Sequence, residues 1–299
     1  MTDKSTILVT GANGQLGQSL HKISSSYPEY QFTFVQRNAL DLSQTQSIAA
    51  YFQSHRFDYI INCAAYTAVD KAEEESALAE QINYLAVKQL AEIAKAQQAA
   101  LIHISTDYVF DGTQYRPYVE NDVVSPQSVY GASKLKGEQA LQAISPKGCI
   151  IRTSWVYSEF GKNFLKTMLM LGEQRDALNV IFDQVGTPTY ATDLAKAIMQ
   201  IVSQDSVSDT LKKSLEIYHF SNEGVCSWYD FSSAIFSLSD INCALSPIET
   251  KDYPTPATRP HYSVLNKAKI KQDYALNIPY WRDSVQECLT ALLQDEKTV

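Results

Sequence analysis

The chain has 299 residues, a formal net charge of −8, and 45% hydrophobic and 11% aromatic residues. This length fits one large domain or two unequal ones, and the composition predicts a packed core rather than a disordered chain. The negative charge argues against nonspecific binding to nucleic acid or to an anionic membrane. No apolar run approaches the ~18 residues that a membrane span needs. We therefore expect neither a nucleic-acid partner nor a membrane partner.

Cysteine and histidine usage limits the candidate chemistry further. The five cysteines are widely spaced, without a Cys-x-x-Cys pair, and the five histidines show no metal-ligand spacing. The cysteines are interpreted as reduced thiols, and together with the absence of a signal-peptide pattern they predict a cytoplasmic protein. The histidine and cysteine spacing predicts no metal centre built from these residues. His103, inside an apolar run, is interpreted as a core residue.

Short β-branched runs alternate with amphipathic stretches through the first half of the chain. The predicted buried strands are residues 7–9, 32–35, 59–63, 101–105 and 149–152. Predicted helices between them start near Gln15, run through Ile48 and Phe52, and carry Leu85, Leu90 and Ile93. This alternation predicts an α/β fold with a Rossmann-type, doubly wound parallel sheet.

The pattern changes after about residue 155, where Pro, Tyr and Trp become more frequent. Residues 163–173, 192–202 and 228–236 are predicted to be helical. The Pro-rich segment 253–260 is predicted to be an ordered loop, because proline disfavours helix interiors and central strands. We expect this part of the chain to form a smaller second lobe.

The first strand runs into a G-x-x-G-x-x-G turn that opens a helix. Such glycines permit a tight bend, and a helix N-terminus offers N–H groups to a pyrophosphate. With a strand before it and a helix after it, the turn predicts a dinucleotide cradle, and a plain turn is the alternative. The predicted cradle residues are Gly11, Asn13, Gly14, Gln15, Leu16 and Gly17.

The end of the second strand predicts which dinucleotide binds. An acid there would accept from the ribose 2′-OH, but the sequence has Gln36 and Arg37 instead. Arg37 can pair with a 2′-phosphate, which favours NADPH over NADH; the alternative is that Arg37 is a solvated surface charge. Asp41 and Leu42 are expected to border the adenine.

Two Tyr-x-x-x-Lys pairs occur, and chance alone predicts about one. Tyr130 follows a loop with turn chemistry and comes 24 residues after Thr106, which ends the fourth predicted strand. Ligands bind outside the carboxyl ends of strands in such sheets, so Thr106, Tyr130 and Lys134 are the predicted catalytic residues. Tyr84 and Lys88 are interpreted as helix surface.

Several motifs together resemble one family. The G-x-x-G-x-x-G turn, Asn-Cys-Ala-Ala at 62–65, Ser-Thr-Asp-Tyr at 105–108 and Tyr-Gly-Ala-Ser-Lys at 130–134 are similar to the extended short-chain dehydrogenases/reductases. Within that superfamily, the segments 105–112, 152–157, 183–189 and 253–260 resemble the dTDP-4-dehydrorhamnose reductase family. The resemblance spans nearly the whole chain.

The resemblance implies a role for each candidate residue. Tyr130 would donate a proton to a C4 keto oxygen, Lys134 would favour the phenolate and hold the nicotinamide ribose, and Thr106 would hydrogen-bond the same oxygen. Residues implied to border the cofactor's diphosphate and ribose are Ala64, Ala65 and Thr67. Residues implied to bind the substrate are Thr106, Asp107, Trp155, Asn163 and Arg259.

The implied activity is NADPH-dependent reduction of dTDP-4-dehydro-6-deoxy-L-mannose to dTDP-L-rhamnose, a sugar-nucleotide step in polysaccharide precursor synthesis. Another reductase, dehydratase or epimerase of the same fold is one alternative. A non-catalytic, NADP-binding regulatory subunit like that of methionine adenosyltransferase is another, and NADH stays open as a cofactor.

The resemblance also suggests a division of the chain. Residues 1–155, with about 185–222 returning to them, would form the NADP-binding domain; about 156–184 and 223–299 would form the substrate-binding lobe. Some relatives dimerise around Mg²⁺, but the residues after Thr189 show no matching carboxylate set. A homodimer and bound Mg²⁺ are therefore left open.

Overall fold

The computed structural model describes residues 4–208, 211 and 215–296. Its centre is a six-stranded parallel sheet formed by β1 Ser5–Thr10, β2 Tyr30–Val35, β3 Tyr59–Asn62, β4 Ala100–Thr106, β5 Gly148–Thr153 and β10 Leu215–His219. The strand order across this sheet is β2-β1-β3-β4-β5-β10. The five predicted strands and the doubly wound parallel sheet are confirmed.

Helices cover both faces of this sheet and continue into a second lobe. In chain order the helices are α1 Gln15–Ile23, α2 Thr45–Ser54, α3 Val69–Ala72, α4 Ser76–Glu80, α5 Ala86–Gln97, α6 Val129–Ile144, α7 Phe164–Gln174, α8 Ala191–Ser208, α9 Trp228–Leu238, α10 Ala268–Tyr274 and α11 Trp281–Glu296. Six short strands form three two-stranded sheets: β6 Val156–Tyr157 with β9 Thr189–Tyr190, β7 Ala177–Ile181 with β12 Ala244–Ile248, and β8 Val185–Gly186 with β11 Cys226–Ser227.

The sheet strands are buried because residues of alternating orientation enter two separate cores. Ile7 and Val9 of β1 pack with α1 and α8 on one face, whereas Leu8 packs with helices α2 and α5 on the other. Burial on both faces explains the continuous apolar runs, which are typical of parallel sheets. The parallel register aligns the carboxyl ends of β1, β3 and β4, so residues that follow these strands meet at one edge.

The predicted helices are observed with small shifts at their ends. One difference concerns Leu85, which the sequence pattern placed on the buried face of a long helix. The chain makes a π-helical turn over Gln81–Leu85, and α5 begins only at Ala86, so Leu85 is exposed. A π-helical turn shifts the following side chains around the helix axis, which explains the mismatch with a 3.6-residue period.

A third core lies in the second lobe, between α7, α9, α11 and the short sheets. It contains Phe231, Val285 and Tyr157 among its fully buried side chains. The segment 253–260 forms the predicted ordered loop. Helix α10 packs differently, because Ile270 and Tyr274 belong to the core of the main sheet. Within the described ranges, no helix is both long and apolar enough to cross a bilayer.

Candidate active site

The glycine-rich turn between β1 and α1 has the geometry of an anion cradle. Gly11 has φ +66°. The backbone N–H of Gly14 donates to the Gly11 carbonyl at 2.9 Å, which closes the turn. A Cβ on Gly11 would lie 2.8 Å from the Ala64 backbone, so only glycine fits there. Helix α1 begins at Gln15 without a side-chain cap or an acid in its first turn. The turn therefore fits a dinucleotide diphosphate, whose oxygens would accept from these amides.

The residues around the cradle differ in exposure. Asn13 is exposed and Gln15 half-buried, so both are accessible from the surface of the turn. Leu16 and Gly17 are buried and pack α1 onto the sheet. The Gln15 side chain donates to the Val156 carbonyl and accepts from the Ser158 and Asn163 side chains. The cofactor roles of Asn13 and Gln15 stay predictions, whereas the second pair positions the helix.

The loop after β2 holds the predicted 2′-phosphate residue at the surface. Arg37 is largely exposed and pairs with Asp41 at 3.3 Å and with the Ser43 hydroxyl at 3.2 Å. Partial burial acts to raise the pKa of the Asp41 carboxyl group, but hydrogen bonds from Ser43 and from the Arg37 guanidinium outweigh it, so the pKa is lowered. Leu42 is buried beneath this loop. Arg37 is thus free to turn toward an added phosphate at little cost.

The segment after β3 closes the other side of the cradle. The Ala64 amide donates to the Thr10 hydroxyl at 3.4 Å, which fixes the segment against the end of β1. Ala65 is half-buried and Thr67 is exposed. Small side chains at 64 and 65 leave the cradle open to a large ligand.

Helix α6 begins directly at the carboxyl edge of the sheet, which places Tyr130 in its first turn. The Ser128 hydroxyl caps the helix by accepting from the Gly131 amide at 3.1 Å. Tyr130 is buried, and its ring contacts Tyr108 edge to face with 5.6 Å between the centroids. Burial raises the pKa of Tyr130 to about 12, while interaction with the Thr106 hydroxyl acts in the opposite direction. The side chains of Thr106 and Tyr130 are therefore close to each other, and their catalytic roles stay predictions.

Lys134 lies one turn further along α6 and is almost completely buried. Its ammonium donates to the Ile104 carbonyl at 2.6 Å, which holds the side chain against β4. Burial lowers the pKa of Lys134 to about 8, and the Glu138 carboxylate partly offsets this. Glu138 itself is bound by Arg152 at 2.7 Å, so it does not neutralise the lysine directly. The amine is poised to change protonation near neutral pH.

Asp107 is the acid nearest to this cluster. Its carboxylate accepts from the Thr106 hydroxyl at 3.0 Å. Burial raises the pKa of Asp107 to about 6, against the effect of hydrogen bonds from Ser263 and Thr106. Tyr108 follows it, so the site holds one carboxyl group at this point of the chain rather than two adjacent ones.

A cavity of about 580 Å³ reaches the cluster at Tyr108, whose ring contacts Tyr130; Thr106, Tyr130 and Lys134 are not among its lining residues. Its walls include apolar and aromatic side chains together with a few polar groups, a composition typical of ligand sites. Lining residues that bear on the chemistry are Asp70, Tyr108, Asn179, Trp228, Trp155 and Arg259.

Trp155 is half-buried: it lines this cavity and also packs against the core of the second lobe. Its φ of +48° is a left-handed conformation that a bulky residue rarely adopts, and functional sites are where such strain is found. The indole stacks on Trp228 with 3.5 Å between ring centroids and 10° between planes. The pair presents a flat, partly polar surface to the cavity.

The other two predicted substrate residues are engaged within the protein. Asn163 caps α7 by accepting from the Lys166 amide at 3.1 Å, and its amide donates to the Ser158 carbonyl at 2.7 Å. Arg259 forms a two-bond ion pair with Asp70, at 2.7 and 2.9 Å. Arg259 still lines the cavity, whereas Asn163 is not among its lining residues. Their substrate roles stay predictions.

Sequence reasoning missed three residues that contribute to the site. Asp70 pairs with Arg259, Trp228 stacks on Trp155, and Ser263 lies close enough to Asp107 to lower the pKa of its carboxyl group. Trp228 carried one signal, since the chain has only three tryptophans. Asp70 and Ser263 carried none, because each acts on a residue distant in sequence. In the part of the chain that the structure describes, no cluster of three or more His, Cys, Asp or Glu side chains could hold a metal ion.

The sheet, the glycine cradle and the Thr106, Tyr130 and Lys134 cluster define a dinucleotide-dependent oxidoreductase of the extended short-chain dehydrogenase/reductase class. Comparison with known proteins narrows this class. The family model described as RmlD substrate binding domain matches residues 5–294, and the chain belongs to this family. The resemblance inferred from the motifs is confirmed.

Individual relatives cover the chain almost completely. The dTDP-4-dehydrorhamnose reductase of Aggregatibacter actinomycetemcomitans is 42% identical over 286 residues, which are 94% of this chain and 97% of that protein. A crystal structure of a dTDP-4-dehydrorhamnose reductase from Clostridium acetobutylicum has a TM-score of 0.89 at 39% identity, covering 96% of this chain and 99% of that one. The enzyme of the same name from Bacillus anthracis, crystallised with NADP, has a TM-score of 0.90 at 36% identity, covering 97% and 100%.

Proposed function

We propose that this protein is an NADPH-dependent reductase that converts dTDP-4-dehydrorhamnose (dTDP-4-dehydro-6-deoxy-L-mannose) to dTDP-L-rhamnose. The observation that carries the proposal is the convergence of Thr106, Tyr130 and Lys134 at the sheet edge where the glycine cradle lies, with a 580 Å³ cavity reaching Tyr108, the ring neighbour of Tyr130. Relatives at about 40% identity over nearly the full chain carry the corresponding enzyme name.

Tyr130 is the proposed proton donor. Burial raises the pKa of its phenol to about 12, so the hydroxyl is protonated at neutral pH and can donate to a carbonyl oxygen. The Thr106 hydroxyl, which donates to Asp107 in this structure, is proposed to turn its proton to the same oxygen and stabilise the charge that develops on it. NADPH, when bound, supplies the hydride.

Lys134 is proposed to stabilise the phenolate that Tyr130 leaves behind. A buried ammonium near a phenolate gains more than the same pair in water, because few solvent dipoles screen the charges. The same side chain is expected to hold the nicotinamide ribose. Gly11 and the N-terminus of α1 fit the diphosphate, and Arg37 fits a 2′-phosphate, which favours NADPH over NADH.

The cavity is proposed to bind the sugar nucleotide. The stacked indoles of Trp155 and Trp228 offer a flat face to a sugar or base. Arg259 offers two N–H groups to a diphosphate, but it must first leave Asp70. Opening of the Arg259–Asp70 ion pair would therefore be coupled to substrate entry.

The test is to follow NADPH oxidation with dTDP-4-dehydrorhamnose for wild type and Tyr130→Phe. We expect a loss of at least ~100-fold in kcat for the variant, the lower end for a positioned acid. Tyr84→Phe is the matched control, because Tyr84 belongs to the other Tyr-x-x-x-Lys pair on a helix surface and its loss should leave the rate unchanged. An undiminished rate in Tyr130→Phe would move the proton donor elsewhere.

The same assay separates the alternatives. Inactive wild type that still binds NADPH would favour a regulatory subunit, and conversion without net NADPH consumption would favour an epimerase. The cavity lined by Trp155 and Trp228 favours an enzyme that binds a substrate over a regulatory subunit.

A cellular location and a domain organisation are also proposed. All five cysteines are free thiols, which supports a cytoplasmic location. Pairing of β10 with β5 and packing of α8 on α1 support the return of residues 185–222 to the NADP-binding domain. A homodimer and bound Mg²⁺ stay open.

A further inference from the structure

A chain of buried polar side chains connects the glycine cradle to Lys134. The Thr10 hydroxyl donates to Asn62 Oδ1 at 2.6 Å, and Asn62 Nδ2 lies 3.0 Å from His103 Nδ1. His103 Nε2 in turn lies 3.4 Å from Lys134 Nζ. Strand register produces this row, since Thr10 is opposite Asn62 and Asn62 is opposite His103 in adjacent parallel strands. All four side chains are at least 98% buried.

The hydrogen bonds of this chain fix the tautomer of His103. The Thr10 hydroxyl donates to Asn62, which assigns Oδ1 as the acceptor and leaves Nδ2 as the donor that faces His103. His103 Nδ1 must therefore accept, so the proton of a neutral ring is on Nε2. Burial, followed by the charge of Lys134, holds the pKa of His103 well below its usual value, so the ring is neutral.

The Nε2 proton consequently points at the Lys134 amine. A neutral amine has a lone pair that can accept this N–H, whereas an ammonium has none and meets the positive end of the imidazole dipole. We propose that His103, held in this tautomer by Thr10 and Asn62, is a positioning residue that weakens proton binding by Lys134. The proposal rests on the proposed function, in which Lys134 acts on Tyr130.

The other charged groups near Lys134 do not replace this effect. Glu138, one turn along α6, favours the ammonium, but Arg152 and the Ser105 hydroxyl already bind its carboxylate. Tyr130 is on the same face of α6, and the nearest further acid, Asp107, acts on Tyr130. Burial and the His103 N–H both oppose the charge, in line with the lowered pKa of Lys134.

Two substitutions are designed to change which nitrogen of His103 carries the proton. Asn62→Asp replaces the amide donor by a carboxylate of the same shape, so His103 Nδ1 must donate and Nε2 becomes an acceptor for the ammonium. Thr10→Val removes the hydroxyl that orients the Asn62 amide and introduces no charge. The amide is then free to turn its oxygen toward His103, which gives a smaller change in the same direction.

The first readout is independent of activity. Nitrogen-15 spectra of the imidazole rings, with His103 assigned from its absence in His103→Gln, should show Nε2 protonated in wild type and Nδ1 protonated in Asn62→Asp. A wild-type ring protonated on Nδ1 would overturn this inference without touching the proposed function. Full activity in Tyr130→Phe would instead remove the proposed function and leave the tautomer assignment intact.

The second readout is the pH profile of kcat with NADPH and the sugar nucleotide. Wild-type activity should fall through a pKa of about 8 as Lys134 loses its proton. A one-unit rise in Asn62→Asp would increase the fraction of plateau activity kept at pH 9 from about one-tenth to about one-half. Simple damage to the fold lowers the rate at every pH and cannot produce this relative gain.

Ile61→Ala is the control, because Ile61 precedes Asn62 in β3 and is buried in the core but is not part of the chain. It should lower stability and leave the alkaline limb where it is. If Asn62→Asp does not fold, the pH profile of kcat is measured for Thr10→Val instead. An alkaline limb that stays in place or moves to lower pH in the variant that folds overturns the inference.

Discussion

Replacing Gly11 by alanine tests the cradle more directly than any other single change. Two costs add. An L-residue in the left-handed region at φ +66° costs about 1–2 kcal/mol. The new Cβ would lie 2.8 Å from the Ala64 Cα and amide nitrogen, and relieving such overlap with backbone costs about 1–3 kcal/mol. We expect Gly11→Ala to lose about 2–5 kcal/mol of unfolding free energy.

Gly161→Ala separates the two costs. Gly161 has nearly the same φ, +63°, but its Cβ would have only an ordinary contact, at 3.6 Å from Gln15 Cγ. This variant should lose about 1–2 kcal/mol and keep its affinity for NADPH. Gly11→Ala should also weaken NADPH binding by ~10-fold or more, because displacement of Ala64 moves the cradle wall.

The assays are guanidinium unfolding and calorimetric titration with NADPH, on both variants in one buffer. Equal losses of stability and equal dissociation constants for the two variants would refute the reasoning. That result would mean that the Gly11 turn tolerates a side chain and that no ligand approaches its backbone closely.

Three further predictions follow from single residues. Arg37→Ala should raise the dissociation constant of NADPH by ~10-fold and change that of NADH little, because a charged hydrogen bond to the 2′-phosphate is lost; equal weakening of both cofactors, measured by titration, would contradict the assignment. Arg152→Ala should cost about 3–5 kcal/mol in denaturant unfolding because it leaves the Glu138 carboxylate buried and unpaired, whereas Lys136→Ala at an exposed ion pair should cost less than ~1 kcal/mol. The pKa of Asp107, about 6 in the fold, is raised above its usual 3.8, so the folded state binds this proton more tightly and stability falls as pH rises from about 4 to 6. Asp107→Asn should lose that part of the pH dependence, and identical stability profiles for variant and wild type would disprove it.

Local pattern was enough to predict the sheet and to select Thr106, Tyr130 and Lys134 as candidate catalytic residues. The strand runs are short, β-branched and continuously apolar, so their length and composition identify them without tertiary information. Tyr130 and Lys134 are i and i+4 on one helix, and Thr106 ends a strand, so a general rule about strand ends brings the three together. The same features predicted the glycine cradle.

Contacts between distant segments were not predictable in this way. Asp70 and Arg259 are 189 residues apart, and their ion pair exists only because the second lobe folds back over the sheet edge. The stacking of Trp228 on Trp155 likewise depends on how α9 packs. The π-helical turn at Gln81–Leu85 has no characteristic residue type. The hydrophobic pattern of the sequence was therefore read with a regular 3.6-residue period through this segment.

The number of acids beside Tyr130 bears on which reaction of this fold class the site can perform. A dehydratase must remove a C5 proton and expel water, which calls for two carboxyl groups with different protonation. Asp107 is one such group, with a raised pKa, but Tyr108 follows it, and burial raises the pKa of that phenol too, so it stays protonated. A protonated phenol cannot serve as the missing base. The cluster can therefore donate a proton to a ketone, whereas it lacks the second carboxylate that elimination needs, and reduction is the chemistry that its residues support.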